Sequence, residues 1–157
     1  MMQKRSNRIL FLLLLLISAL SACDNKKVYD KFVHTPLAGW EKNDSLVFTV
    51  PKIKDTGEYI LSLQMRTNNS FPFMNVVLIA DRKIIPKGTS SSDTLICHLS
   101  DNKGNSLGTG INIYQYRFHV NSLRLDTGDS LRITIRHDMK REILPGISDI
   151  GMTLSRK

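Results

Sequence analysis

Apolar and polar residues alternate in short segments from Pro36 to the end of the chain, with turn residues between the segments. The clearest segment is LRITIR, residues 131–136. Successive side chains of a β-strand point to opposite faces of its sheet, so these residues should separate into two sets. Leu131, Ile133 and Ile135 are predicted to face a core, and Arg132, Thr134 and Arg136 to face water. The repetition of such segments predicts an all-β fold, an antiparallel β-sandwich of jelly-roll or immunoglobulin-like type with about seven or eight strands.

Other segments extend this pattern and indicate how the strands pair. Residues 46–50 and 59–65 both alternate, and the turn Asp55-Thr56-Gly57 lies between them, which predicts two neighbouring antiparallel strands. The segment over residues 75–80, NVVLIA, is apolar without interruption after Asn75, which is typical of a central strand. Further strands are predicted over residues 93–99, 114–120 and 150–154. No segment after residue 23 has the period of an amphipathic helix.

The N-terminus has a different pattern. Lys4, Arg5 and Arg8 precede an apolar run over residues 9–17, which leads to Leu20-Ser21-Ala22-Cys23. This order resembles a bacterial lipobox, and the run is too short to cross a bilayer, which takes about 20 apolar residues. Residues 1–22 are therefore predicted to be a cleaved lipoprotein signal peptide. The sulfur of Cys23 is predicted to carry the lipid that anchors the chain in a bilayer.

Between the predicted anchor and the first clear strand, residues 24–35 are mostly polar and have no sustained period of 2 or 3.6. This composition predicts a tether over residues 23–35. The rest of the chain, residues 36–157, has the length of one domain with a proper core.

The charge of the chain limits the classes of partner that it is expected to bind. It has 22 basic and 14 acidic residues, and three of the basic ones lie in the leader, so the formal charge falls from +8 to 19 − 14 = +5 after residue 22. The basic residues are scattered and are not grouped with aromatic ones, which argues against nucleic-acid binding. We interpret them as a solvated surface that is compatible with anionic lipid headgroups.

No pattern of catalytic or metal-binding residues stands out. The four histidines are far apart, nucleophile motifs are missing, and most carboxylates lie in turns, so we predict no enzymatic activity, metal site or cofactor. Cys97 shares a strand face with Leu95 and Leu99, which predicts a buried structural thiol, and His98 points to the opposite face.

Three features are candidates for contact with a partner. Trp40 is either a platform for stacking a sugar or, as we favour, a plug at one end of the sandwich. The loop Phe71-Pro72-Phe73 is either exposed for a partner or folded over the sheet edge, and the sequence leaves both open. The loop over residues 101–110 has no phosphate-cradle pattern but should be exposed. The candidate partner-binding residues are thus Phe71, Phe73, Trp40, Gly104, Gly108 and Gly110.

Several segments, taken in order, resemble the GldH family, gliding-motility lipoproteins of the Bacteroidetes. They are VYDKF (28–32), GW with DSLVF (39–48), SFPFMNVVL (70–78), DTLICHL (93–99), GNSLGTG (104–110) and LPGISDIGM (144–152). The chain has Phe73 where family members often have tyrosine, and Met139-Lys140-Arg141 where a more regular strand end is expected.

This resemblance implies a non-enzymatic lipoprotein of the cell envelope, anchored in the outer membrane and facing the periplasm. It also implies envelope protein partners and an accessory or scaffold role in the gliding machinery. The alternative is a carbohydrate-binding β-sandwich lipoprotein, which requires at least two exposed aromatic side chains on one face.

Overall fold

The alternating segments pair into antiparallel sheets, as the computed structural model shows for residues 26–157, the part of the chain that it describes. The signal peptide predicted over residues 1–22 and the predicted lipidation site Cys23 lie outside this part. The strands are β1 Lys27–His34, β2 Trp40–Glu41, β3 Leu46–Val50, β4 Gly57–Asn68, β5 Asn75–Ile85, β6 Ser90–His98, β7 Thr109–Gly110, β8 Ile113–Leu125, β9 Ser130–His137, β10 Ile143–Leu144 and β11 Ile147–Arg156. The predicted all-β sandwich is confirmed.

Two sheets form the sandwich. One has the order β1-β11-β4-β8-β7 and the other β3-β9-β5-β6, while β2 and β10 form a small ribbon of their own. Eight of the eleven strands in residues 26–157 are longer than two residues, which agrees with the predicted number. Strand β5 pairs with both β6 and β9, so the central position predicted for residues 75–80 is confirmed.

The core lies between the two sheets. Leu131, Ile133 and Ile135 of β9 are fully buried, whereas Arg132 is exposed and Thr134 and Arg136 are half-buried, so the predicted faces are confirmed. The opposing sheet contributes the buried side chains of Tyr59, Leu61, Leu63, Met65, Met152 and Leu154. Residues 26–157 contain no helix that is long and apolar enough to cross a membrane.

The predicted pairing of residues 46–50 with residues 59–65 is wrong. Strand β3 pairs with β9, and β4 lies in the other sheet between β11 and β8. The connection over residues 51–56 crosses from one sheet to the other instead of forming a hairpin. Ile53 is buried on this path, and its N–H donates to the Asp129 carbonyl at 2.7 Å.

The predicted tether over residues 23–35 is wrong for Lys27–His34, because these residues form β1, an edge strand paired with β11. An edge strand covers little of the core, so its side chains alternate weakly. The Phe32 ring packs against Gly151, so closely that a Cβ at this glycine would lie 2.8 Å from the ring. The Arg66 guanidinium lies 4.0 Å from the centroid of the same ring. The sandwich therefore includes residues from Lys27 onwards.

Because the long strands all pair antiparallel, the sandwich has two distinct ends. The first, which we call the N-terminal end, comprises residues 26–27, 51–58, 86–89, 124–129 and 156–157. There the Arg156 N–H donates to the Lys26 carbonyl at 2.7 Å. The second, which we call the loop end, comprises residues 35–45, 69–74, 99–112 and 138–146. The twelve residues of β4 separate the two ends by about 40 Å.

Candidate functional site

Two loops that carry predicted site residues lie side by side at the loop end. The N–H groups of Leu99 and Ser100 donate to the Met74 carbonyl at 2.8 and 3.2 Å, which joins the loop that follows β6 to the loop that precedes β5. Between the loops is a shallow cleft of about 380 Å³. Residues lining this cleft include Phe71, Phe73, Met74, Gly104, Ser106 and Tyr114. The structure thus brings together three of the predicted site residues, Phe71, Phe73 and Gly104.

Phe71 and Phe73 pack over the edge of the sheet. Their rings contact each other edge to face, with centroids 5.6 Å apart and planes at 71°. Both rings are half-buried and contact the hydrophobic core. Of the two alternatives predicted for this loop, the structure has the folded-over one. A partner approaching the cleft would meet only part of each ring.

Trp40 is fully buried, so it is a plug and is not available for stacking a sugar or contacting a partner. Its indole N–H donates to the Asp44 carbonyl at 3.0 Å, and its ring meets the His137 imidazole edge to face with centroids 5.3 Å apart. Trp40 lies in the β2–β10 ribbon, where Leu144 is its register partner. Its place among the partner-binding candidates is therefore wrong.

The three candidate glycines, Gly104, Gly108 and Gly110, differ in their surroundings. Gly104 is exposed in a turn in which the Asp101 carboxylate accepts the Lys103 and Asn105 N–H groups, each at 2.8 Å, and the Asn105 side-chain amide at 2.9 Å. The hydrogen bond from the Asn105 side chain is the main reason why the pKa of Asp101 is lowered.

Gly108 and Gly110 shape the loop rather than offering side chains for contact. A Cβ on Gly108 would lie 2.7 Å from the Tyr116 ring. Gly110 has φ of +142°, a conformation that side chains disfavour, and its backbone closely approaches that of Ile113. Gly108 thus leaves room for the Tyr116 ring, and Gly110 lets the chain reverse tightly between β7 and β8.

Exposed aliphatic side chains are the feature of the loop end that the sequence analysis missed. Ile111 and Leu107 are 84% and 59% exposed, Met74 is also exposed, and so is Ile113, the first residue of β8 beside this end. Leu37 and Ile143 add two more on neighbouring parts of this end. The available signal was the occurrence of large apolar residues within a segment rich in glycine and asparagine. Such residues exposed together are typical of a protein interaction surface.

The other groups with possible chemistry are inert or dispersed. Cys97 is buried, and burial raises the pKa of its thiol to about 12, so the prediction of a structural thiol is confirmed. His98 is exposed on the opposite face. In residues 26–157, no group of three or more His, Cys, Asp or Glu side chains is placed to hold a metal ion.

The aromatic side chains bear on the carbohydrate-binding alternative. Every phenylalanine, tyrosine and tryptophan within residues 26–157 is buried or half-buried. Stacking on a sugar needs an accessible ring face, and the alternative required two such faces side by side. The described part of the chain does not meet this requirement.

The chain is similar to known proteins along most of its length. A gliding motility lipoprotein GldH homolog of Christiangramia forsetii is 27% identical over 161 residues, which cover 97% of this chain and 98% of that protein. The gliding motility lipoprotein GldH of Flavobacterium johnsoniae is also 27% identical, over 93% of this chain and 95% of that protein. A solved 4-O-methyl-α-glucuronidase shares 13% identity with a TM-score of 0.47, over 87% of this chain and 18% of that one. The family model described as GldH lipoprotein matches residues 27–154. The chain therefore belongs to the GldH lipoprotein family.

Proposed function

We propose that this lipoprotein is a non-enzymatic accessory or scaffold component of the gliding-motility machinery, and that its loop end binds an envelope protein. Acylated Cys23 anchors it in the outer membrane, facing the periplasm. The observation that carries the proposal is the grouping of exposed aliphatic side chains, with Ile111 and Leu107 foremost, at the end opposite Lys26.

The position of the anchor favours this arrangement. Cys23 precedes Lys26 by three residues, so the lipid lies within about 10 Å of the N-terminal end. The loop end then projects away from the bilayer by about the length of β4, roughly 40 Å. An apolar surface held at that height is accessible to another protein and is out of reach of the lipid.

Anchoring and partner binding can be tested separately. For anchoring, cells are labelled with an alkynyl fatty acid, and Cys23→Ser is expected to abolish the label on this protein. Two or more acyl chains are needed for stable attachment, since each buried CH₂ contributes about 0.8 kcal/mol. Label that persists on the Cys23→Ser variant would contradict the assignment of Cys23.

For partner binding, the test variant is Leu107→Ser with Ile111→Ser. The matched control is Ile96→Ser, a side chain that is 61% exposed on the outer face of β6. All three positions are exposed, so the variants should fold and remain acylated. We expect the double variant to lose crosslinks to envelope proteins and to reduce colony spreading of a gliding host, and the control to retain both.

Normal crosslinking and spreading in the Leu107→Ser, Ile111→Ser variant would contradict the proposed surface. Equal losses in the Ile96→Ser control would contradict it as well, because a general effect on the surface would then explain the result. Phe71 and Phe73 are less suitable for this test, since their rings support the core.

A further inference from the structure

The charged residues of the sandwich are distributed unequally between its two ends. The N-terminal end has eight basic and four acidic residues, a formal charge of +4, whereas the loop end has four basic and five acidic residues, a formal charge of −1. The basic residues of the N-terminal end are Lys26, Lys27, Lys52, Lys54, Lys87, Arg124, Arg156 and Lys157, and the acidic ones are Asp55, Glu58, Asp126 and Asp129. The N-terminal end is thus the more positive of the two ends, and a net positive charge favours contact with an anionic surface.

Several cations at the N-terminal end are already paired. Lys87 contacts the carboxylates of Asp126 and Asp129, each at 2.6 Å, and Arg156 lies 3.5 Å from Asp55. The pairing with Asp126 and Asp129 raises the pKa of Lys87. Glu58 lies 3.9 Å from Arg124, so each of the four acidic residues of this end already has a basic partner.

Lys52 and Lys54 remain available. Both are exposed on the connection between β3 and β4, and among the ion pairs of residues 26–157 neither one takes part. Lys157 at the end of the adjacent strand is also exposed, and its backbone N–H donates to the Glu58 carbonyl at 2.9 Å. Hydrogen bonds between Thr127 and both Thr56 and the Lys54 carbonyl hold this connection in place, so the two lysines are presented on an ordered loop.

We propose that the N-terminal end docks on anionic phospholipid headgroups through Lys52, Lys54 and Lys157, and so fixes the orientation of the sandwich on the membrane. The proposal rests on the anchoring through Cys23, because Lys26 is only the third residue after it, which holds this end within about 10 Å of the bilayer. That distance is about one Debye length at 0.1 M salt, so the attraction is not screened away. Each basic side chain at an anionic surface changes the docked-to-undocked ratio about fivefold.

The experiment uses the lipidated protein in vesicles of phosphatidylcholine alone or with a third of phosphatidylglycerol. Lysines are labelled with an amine-reactive reagent, and the rate at each position is measured by mass spectrometry. On anionic vesicles we expect slower labelling of Lys52, Lys54 and Lys157 than on neutral ones, and unchanged labelling of Lys103 and Lys140 at the loop end. The protection should disappear at about 1 M salt, where the Debye length is about 3 Å.

A charge-reversal variant makes the test specific. Lys52→Glu with Lys54→Glu should lower the docked-to-undocked ratio by about 25-fold or more and return Lys157 to its rate on neutral vesicles. The matched control, Lys103→Glu with Lys140→Glu, has the same change of net charge and should leave Lys157 protected. Protection of equal size on neutral vesicles, or loss of protection in the control, would overturn the proposal. Failure of anchoring itself is distinguishable, because the protein would then be absent from the vesicles.

Discussion

Replacement of Ile133 by Ala tests the core of the sandwich. Ile133 is fully buried in the central part of β9, between Phe48 of β3 and Arg82 of β5 in register. The substitution removes three buried carbon groups, which lowers the free energy of unfolding by about 2.4 kcal/mol at 0.8 kcal/mol each. The cavity that remains adds to this loss, so the total should be about 3 to 4 kcal/mol.

The matched control is Thr134→Ala at the next position of the same strand. Its side chain points outward, opposite Val47 and Asp81, so the expected loss is about 0.5 kcal/mol or less. For about 130 ordered residues the unfolding entropy is about 0.27 kcal/mol/K, so Ile133→Ala should lower the Tm by about 10 to 15 °C and Thr134→Ala by about 2 °C or less. Urea titration measures the loss in free energy of unfolding, and thermal melting measures the fall in Tm. Equal losses for the two variants would refute the inward register of β9, because a shift by one residue exchanges the two faces.

Three further predictions concern buried polar groups. Burial lowers the pKa of His137 below its ordinary value of 6.5, so the folded state should lose stability as pH falls below 6.5. The midpoint of urea unfolding at several pH values measures this loss. The dependence on pH should be weaker in His137→Gln. Cys97 should react with a thiol reagent only after unfolding, and rapid reaction of the folded protein would contradict its burial. Arg82 is buried, and its Nη1 atom lies 2.6 Å from an oxygen of the Asp93 carboxylate. The two groups meet at an angle unsuited to a hydrogen bond, so the attraction between them is one of charge. Asp93→Asn should therefore lower the free energy of unfolding, measured by urea titration, by about 3 kcal/mol.

Burial disfavours the charged imidazolium and so sets the sign of the His137 effect, and the contacts of the ring suit its neutral form. The Trp40 carbonyl lies 3.1 Å from His137 Nε2, and the Met139 N–H lies 3.5 Å from Nδ1. The neutral ring with its proton on Nε2 satisfies both neighbours, because Nδ1 then accepts. A second proton on Nδ1 would face the Met139 N–H. The folded state therefore binds this proton less readily than the unfolded chain, and stability is complete only above pH 6.5.

Which strands exist and which side chains they bury could be predicted from the sequence, because both depend on local alternation. Residues 131–136 illustrate this, since each predicted face agrees with the structure. The partner of each strand depends on contacts between residues far apart in the chain. Residues 46–50 were therefore predicted to pair with the next strand along the chain, whereas they pair with β9.

Strand β1 shows why an edge strand is difficult to recognise. Tyr29, Lys31 and Val33 lie opposite Leu154, Met152 and Ile150, so all three share the face directed toward the core. Lys31 nevertheless remains exposed, because the edge of the sheet leaves its side chain in water. The resulting pattern is mixed, and in sequence it is indistinguishable from that of a polar tether.

The loop end shows a second limit. Apolar residues in a loop are either folded onto the core, as Phe71 and Phe73 are, or left in water, as Ile111 is. Composition does not separate these cases, because the outcome depends on whether a neighbouring sheet edge is open to receive the side chain. Trp40 could be predicted as a plug because its size and its place at the head of a strand favour burial.

The assignment of Lys27–His34 to the sandwich also changes what the anchor can do. A tether of thirteen residues, from 23 to 35, would let the domain rotate freely above the membrane. Only Asp24 and Asn25 lie between the proposed anchor Cys23 and Lys26, which restricts the domain to a range of about 10 Å. A domain held so closely cannot extend toward a distant partner. A protein that binds the loop end must therefore itself approach to about 40 Å from the lipid surface, the length of the sandwich along β4. Under the proposed anchoring, this requirement favours a partner whose own domain stands close to the same membrane over one that is anchored far from it.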